Sequence, residues 1–482
     1  MKHAILILAH KDFDQVRHLI EYFVRDCYVY VHIDKKAAIT PEELHSIDSM
    51  PQVRAVYRKY KVHWGGFSIL KTEMFLLRQV LKDGDCDYVH LISGQDYPIK
   101  PLDDFLKFFE EHKGKEFIRY ANIPNRNWDH YTFYRFQYFF PYDYIDAPLK
   151  IREAKIRLAV KLQKKIGLKR RIPDYFDFLY GSTQWFSITQ NAVSVLLNYT
   201  KRNPTFYRRC RWTFAPEEYY IATVLGNLLP KNSIEPKDLR FIRWKYENEN
   251  YPANLRKNYF HILTKQKDNL FARKLEKGKC EDLIKLIDKY MLKDPTLEIT
   301  ETGGWRYNGL RKYEYSESVA VALFSLCKNL NVHSVLDFGC GAGMYVSGLR
   351  NRGIPATGVD ANPYTPELSS LILAEGDEPC GTADLTQPME TDTPFDMILC
   401  MDVLTFIPSN YLLVVYMNLS ILSSKYILLS EKVRCLESTV KNMDFHEKSF
   451  RKLGFFKESL ASNILNKTLE KENVRLLLLK KQ

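Results

Sequence analysis

The chain has 482 residues, too many for one ordinary hydrophobic core, so two or three domains are expected. A composition of 45% hydrophobic and 27% charged residues excludes a collagen-like, disordered or repeat-array chain. The net charge of +12 is uneven: residues 1–300 carry 51 Lys+Arg against 37 Asp+Glu (+14), and 301–482 carry 19 against 21 (−2). The split suggests two units with different partners, the basic one suited to an anionic ligand such as a nucleotide diphosphate, a lipid headgroup or nucleic acid.

In chain order, Ala4–Ala9 reads as a buried strand, Phe13–Arg25 as a helix, and Tyr28–Ile33 as a second strand ending at Asp34. Phe67–Lys82 has helical spacing, and Tyr88–Ser93 is a short apolar strand that runs into Gly94-Gln95-Asp96-Tyr97-Pro98. This alternation implies an α/β unit with a largely parallel sheet, whose ligands sit at the carboxyl ends of the strands. Asp34 and the Ser93–Pro98 loop fall there. Residues 150–171 hold ten basic residues and one acid, Glu153, with Ile151, Ala154, Leu158, Leu162 and Ile166 at helical spacing. Such a helix either lies on an anionic membrane surface or packs on the fold with a solvated basic face. Glu276–Leu292 reads as a closing helix, and the boundary is placed in 293–302, between domains at 1–295 and 303–482.

Nine scattered cysteines with no C-x-x-C pair argue against a disulfide framework or zinc site and favour a reducing compartment. The apolar run Ala4–Ala9 is too short for a signal peptide, and no run of 18 apolar residues predicts a membrane span. A cytoplasmic protein, soluble or peripheral on the inner face of a membrane, is the expectation.

Five strings carry the chemistry of the first unit: Val62–Ser68 with Trp64-Gly65-Gly66, Leu91–Ile99, Gly181-Ser182-Thr183-Gln184-Trp185-Phe186, Phe214-Ala215-Pro216-Glu217-Glu218, and Phe271-Ala272-Arg273-Lys274. Glu217 and Glu218 after a proline are either a helix start or a general base for a hydroxyl. Arg273 and Lys274 either neutralise a leaving diphosphate or lie exposed on a helix. Collinear over about 1–290, the strings resemble the core-2/I-branching glycosyltransferase family, which includes the peptide O-xylosyltransferases.

The resemblance implies an inverting, metal-independent transfer from a UDP-sugar on a GT-A-like fold. Glu218 would be the base and Lys274, with Arg273, would hold the diphosphate. Asp34 would contact the uridine, and Trp185 with the loop of Gln95 and Asp96 would shape the sugar site. UDP-N-acetylglucosamine is preferred over UDP-xylose as donor, and a saccharide or lipid-linked glycan is the expected acceptor. The D-x-D strings Asp12-Phe13-Asp14 and Asp83-Gly84-Asp85 read as solvated turns. Arg243-Trp244 and Tyr251-Pro252 depart from the family's D-W and H-P, and Arg256 is a candidate substitute there.

The α/β pattern restarts at Ser334–Phe338. Asp337, Gly339, Gly341 and Gly343 form a D-x-G-x-G-x-G strand-to-helix turn that favours S-adenosylmethionine over a dinucleotide. Asp360 follows seventeen residues after Gly343, and Asp384 and Asp402 end later strands. These motifs resemble class I S-adenosylmethionine-dependent methyltransferases with a Rossmann-like fold, over about 303–482. The resemblance implies Asp337 and the glycines around the methionine moiety, Asp360 on the ribose and Asp384 on the adenine. Thr405-Phe406 stand where the family often has a histidine, which leaves no general base assigned. The expectation is a bifunctional glycan-modifying enzyme, against a glycosyltransferase whose second domain only binds. Nucleic acid is not expected as a partner, because the excess charge lies away from the glycine loop.

Overall fold

The computed structural model describes residues 1–124, 132–294, 296–299, 305–311, 313, 315–432, 443–469 and 474–482. Pro295 and residues 300–304 of the expected linker lie outside them. The chain forms two compact α/β units: Met1–Leu255 with Asp268–Glu281, and Arg256–Lys267 with Asp282–Gln482.

The strands of the first unit are β1 His3–Ala9, β2 Cys27–Ile33, β3 Val53–Tyr57, β4 Tyr88–Ser93, β5 Asp96–Pro98, β6 Glu116–Ile118, β7 Ala121–Ile123, β8 Leu179–Gly181, β9 Phe186–Thr189, β10 Ile234–Glu235, β11 Arg240–Ile242 and β12 Phe271–Arg273. Its main sheet has the order β10-β6-β9-β4-β1-β2-β3. β1 pairs in parallel with β2 and β4, while β9 is antiparallel to both β4 and β6. β1 and β4 are buried along nearly their whole length because both faces of these central strands are covered. The order reverses at β1, which opens a crevice where β1, β2 and β4 end, at His10, Asp34 and Ser93. A smaller sheet, β11-β12-β5, carries Arg240, Arg273 and Asp96 on neighbouring strands.

Three helices differ from expectation at their ends. The first spans Phe13–Tyr22, because Phe23 (φ −88°, ψ 74°) leaves the helical region and Arg25 and Asp26 follow at φ 47°. The basic helix spans Leu149–Lys165 and stops before Gly167, whose φ of 72° suits a helix terminus. The closing helix begins only at Glu281: Gly278 (φ 81°) sits in a turn where the Glu276 carbonyl accepts the Lys279 and Cys280 amides.

The second unit contains the hairpin β13 Leu297–Ile299 and β14 Trp305–Tyr307, then β15 Val335–Phe338, β16 Ala356–Asp360, β17 Gly381–Thr382, β18 Phe395–Cys400, β19 Ser423–Lys432, β20 Phe455–Lys457 and β21 Val474–Lys481. The sheet order is β17-β16-β15-β18-β19-β21-β20. The first five are parallel and β21 is antiparallel to both its neighbours. The order reverses at β15, so the turn Gly339–Gly343 lies at the switch point of a Rossmann-like sheet.

Candidate functional site

In the first unit, the Trp64-Gly65-Gly66 turn and the Phe214–Glu218 segment lock together. Gly65 has φ +72°, and a Cβ there would lie 2.6 Å from the Phe214 ring. Its carbonyl accepts the Ala215 amide at 2.9 Å, which holds Ala215 in the left-handed region at φ 46°. Pro216–Glu218 then form a short 3-10 turn rather than the first turn of the Tyr220–Leu228 helix. That turn sends the two acids in different directions. Glu218 is partly exposed and forms an ion pair with Arg135 at 2.7 Å. Glu217 is buried, and its Oε2 has no hydrogen-bond partner among the described residues. Burial, then the Glu218 and Glu73 carboxylates, push the Glu217 pKa well above the usual carboxylate range. Burial alone raises Glu73 to about 8, although Gln184 donates to its Oε1 at 2.8 Å.

A second cluster stands at the carboxyl ends of the strands. Asp96 is fully buried, with Oδ2 accepting the Ser93 amide at 2.6 Å and lying 3.3 Å from Arg273 Nη1. Its Oδ1 faces Arg240 Nε at 3.4 Å, an ion pair without hydrogen-bond alignment. Both guanidinium groups lie over Trp185, 5.1 and 4.5 Å from the ring centroid. Lys274 and Lys11 each reach Glu276 Oε1 at 3.0 Å, and Gln95 Nε2 donates to the same oxygen at 2.9 Å. Burial would raise the Glu276 pKa, but the Lys11 and Lys274 hydrogen bonds outweigh it and hold it at about 2.

Lys11, Lys274, Asp34 and Arg273 all act on the charge of His10, which follows β1. Although the residue keeps solvent exposure, desolvation of its ring and then the Lys11 and Lys274 cations lower its pKa. Asp34 is fixed by the Lys36 and Val62 amides, at 2.9 and 3.2 Å, on Oδ1. Four cations (Lys11, Arg240, Arg273, Lys274) thus stand among four carboxylates (Asp34, Asp96, Asp238, Glu276), so the cluster is close to charge balance.

Arg273 lies on a strand, and neither it nor Lys274 is on an exposed helix. Sequence reasoning missed Lys11, His10, Arg240 and Glu276. For His10 and Lys11 the available signal was their place immediately after β1.

The Gly181–Trp185 string ties the two clusters together. The Ser182 amide donates to the Glu218 carbonyl at 2.6 Å, Thr183 Oγ1 donates to Asp238 at 2.8 Å, and Trp185 carries the two arginines. Three residues span at most about 11 Å, which bounds the distance between the Ser182 contact and the Trp185 ring that carries the arginines. Of the D-x-D strings, Asp14 reaches Lys277 at 2.8 Å, Asp83 accepts the Tyr30 hydroxyl and Asp85 accepts Lys2.

In the second unit Asp360 closes the glycine turn: its Oδ2 accepts the Gly341 amide at 2.7 Å and its Oδ1 the Asn362 amide at 2.8 Å. The Ala361 amide also acts on this carboxylate, whose roughly four acceptor sites still exceed the three amides. Burial pushes Asp337 well above the usual carboxylate range. Gly339, Gly341 and Gly343 have φ of 84°, 57° and 75°. Added Cβ atoms would meet Val403 at 2.2 Å, Tyr313 at 2.5 Å and Cys380 at 2.9 Å. The glycines are therefore required by protein side chains as well as by any ligand. Asp384 is exposed and holds the Thr386 amide and hydroxyl at 3.0 and 2.7 Å. The Asp402 amide donates to Ser430 Oγ at 2.8 Å, and its φ is 57°. The structure places Asp337, Gly339–Gly343, Asp360 and Asp402 at the carboxyl edge of the sheet, and Asp384 just beyond β17.

Two family models match successive regions of the chain. The Core-2/I-Branching enzyme family model matches residues 4–267, and a Methyltransferase domain model matches 306–463. Xylosyltransferase sqv-6 of Caenorhabditis briggsae is 31% identical over 110 residues, 21% of this chain and 13% of its own length. Xylosyltransferase 1 of Mus musculus is 22% identical over 309 residues, 60% of this chain and 30% of its own. The chain thus spans less than a third of either relative. Among solved structures, a Synechocystis magnesium protoporphyrin IX methyltransferase with bound SAH has 18% identity and a TM-score of 0.28, over 34% of this chain and 83% of its own. The chain belongs to the Core-2/I-Branching enzyme family and carries, after that region, a methyltransferase domain.

Proposed function

We propose that the first domain moves a sugar from a UDP-sugar to a hydroxyl of a saccharide or lipid-linked glycan, with inversion and without a metal. The observation that supports this reading is the set of cations behind the strand ends, Lys11 and Lys274 on Glu276 and Arg273 on Asp96, with Asp34 at the end of β2. Glu218 takes the proton from the acceptor hydroxyl as its oxygen attacks the anomeric carbon. The C–O bond to the diphosphate breaks, and Lys274 and Arg273 offset the charge that develops on it. Asp34 binds the uridine, while Asp96 and Gln95 act from beneath by fixing Arg273 and Glu276. The xylosyltransferase relatives favour UDP-xylose, with UDP-N-acetylglucosamine as the alternative donor. A lipid-linked acceptor would bring the protein to the inner face of a membrane, where we place it.

In the second domain the residues fit S-adenosylmethionine, which supplies an electrophilic methyl group when bound. Asp360 retains acceptor capacity for the ribose hydroxyls, Asp337 and Gly339–Gly343 would surround the methionine part, and Asp384 and Asp402 would border the adenine side. Polysaccharide biosynthesis with methylation of the glycan is the combined role that follows.

A UDP-release screen across UDP-sugars, with and without EDTA, tests the first domain. Glu218→Gln is expected to lower kcat about 10²- to 10⁴-fold while UDP affinity stays within about twofold. Turnover of that variant close to the parent, or neither UDP release nor UDP binding by the parent, refutes the assignment. Asp360→Ala should abolish S-adenosylhomocysteine binding by calorimetry and leave UDP binding intact. Equal binding by both proteins would remove Asp360 from the cofactor site.

A further inference from the structure

The Leu149–Lys165 helix packs on the fold through an unexpected face. Its buried residues are Arg152, Ile156, Val160 and Gln163. Arg152 donates to the carbonyls of Ile145 and Ala147 at 2.9 and 2.7 Å. Gln163 exchanges two hydrogen bonds with the Phe139 backbone, at 2.8 and 3.0 Å. Ile156 and Val160 join a small cluster with Phe140 and Tyr142. The apolar stripe read from the sequence points elsewhere. Ile151, Leu158 and Leu162 are 50%, 58% and 53% exposed, and the stripe continues through Ile166 at 73%. Burying an arginine and a glutamine while leaving four large aliphatic residues in water reverses the usual preference of a packed helix.

At 100° per residue the four aliphatic positions fall within an arc of about 80° that also contains the exposed Lys155, and the centre of the arc lies about 120° from that of the buried face. Lys150, Arg157 and Lys161 flank this arc on one side, and all three are exposed. The only acid on the helix, Glu153, lies toward the buried face, 3.8 Å from Arg157. We propose that this stripe is a membrane-docking surface that inserts Ile151, Leu158, Leu162 and Ile166 into the interface of an anionic bilayer while the flanking lysines and arginine meet the headgroups. The charge pattern selects this occupant. A second copy packed through the same patch would bring like charges together around an apolar centre. An anionic lipid surface supplies the opposite charge and accepts aliphatic side chains without a shaped pocket.

The inference deepens the peripheral location proposed above, and its readout is independent of sugar transfer. Failure of UDP release and failure of membrane binding are therefore distinguishable. The test is co-sedimentation of the full chain with phosphatidylcholine vesicles and with vesicles containing 30 mol% phosphatidylglycerol, an arbitrary but roughly standard anionic fraction. Binding is expected only to the anionic vesicles and is weakened by salt. Leu158→Gln with Leu162→Gln should lower the partition coefficient at least roughly tenfold. Lys150→Gln, Arg157→Gln and Lys161→Gln should each lower it about fivefold. All these side chains are exposed, so circular dichroism and melting temperature should match the parent. The proposal is overturned if the parent ignores anionic vesicles, or if the leucine variant binds them as well as the parent. It is equally overturned if sedimentation equilibrium shows a dimer that the leucine variant dissolves while vesicle binding is absent.

Discussion

Asp96→Asn removes the one carboxylate that bridges Arg240 and Arg273. Both ion pairs are short, 3.4 and 3.3 Å, and the side chains of Asp96 and Arg240 have no exposed surface. At an effective dielectric of about 20, an attraction at that distance is worth about 5 kcal/mol before desolvation is counted. Measured losses on breaking such buried pairs run to about 3–5 kcal/mol, because the remaining charge is stranded. Asp238 still acts on Arg240, which puts the expectation at the lower end, about 3 kcal/mol. For a unit of this size that is a fall of roughly 6–12 °C in melting temperature. Differential scanning calorimetry of the full chain, with UDP titration well below the transition, gives both readouts. A variant that melts within about 2 °C of the parent, yet has lost UDP affinity more than tenfold, would refute the reasoning. Asp96 would then be a donor ligand and not the support beneath Arg273.

The acids give predictions with opposite pH dependence. Glu73 has a folded-state pKa raised to about 8, so its contribution is complete below the ordinary carboxylate pKa and is lost as pH rises toward 8. Glu73→Gln should therefore gain on the parent between pH 5 and 8, by on the order of 4 kcal/mol, in urea unfolding. A constant difference across that range would mean that Glu73 is not desolvated. Glu276, held at about 2, behaves the other way: its contribution is present above the ordinary carboxylate pKa and is lost as pH falls toward 2. The parent should outlast Glu276→Gln by about 3 kcal/mol near neutral pH, with the gap closing as the pH drops toward 2. An unchanged gap at acid pH would contradict the Lys11–Glu276–Lys274 arrangement.

The strands and the glycine turn were legible because their signals are local. An apolar run such as Ala4–Ala9 needs only its own residues, and so does Gly339–Gly343. The carboxyl ends marked by Asp34 and Asp360 followed from chain order alone. What stayed hidden depends on residues distant in sequence. Gln95 meets Glu276 across 181 positions, and Arg273 meets Asp96 across 177. No spacing rule links such pairs, so Glu276 and Arg240 passed unnoticed. The basic helix shows a different limit. Periodicity located an apolar stripe but could not say which side would face the protein, because Arg152 and Gln163 satisfy backbone carbonyls that only the folded chain presents. Glu217 and Glu218 were likewise indistinguishable until the 3-10 turn sent one inward and the other toward Arg135.

The path of the chain between its units has a consequence for dissection and inheritance. The polypeptide enters the second unit at Arg256–Lys267, comes back for Asp268–Glu281 and departs again. The return leg delivers Arg273, Lys274 and Glu276 to the first cleft. A gene cut before codon 256 therefore yields a first unit that lacks Arg273, Lys274 and Glu276 and keeps Lys11 and Arg240. One cut after codon 281 keeps them, but strands Tyr259, Phe260 and Leu263 without Tyr290 and the Thr365–Ile372 helix on which that segment packs. A break after residue 281 keeps every segment of the first unit and a break before 256 keeps every segment of the second, but no single break leaves both units whole, so two separately expressed halves cannot both carry a complete set of segments.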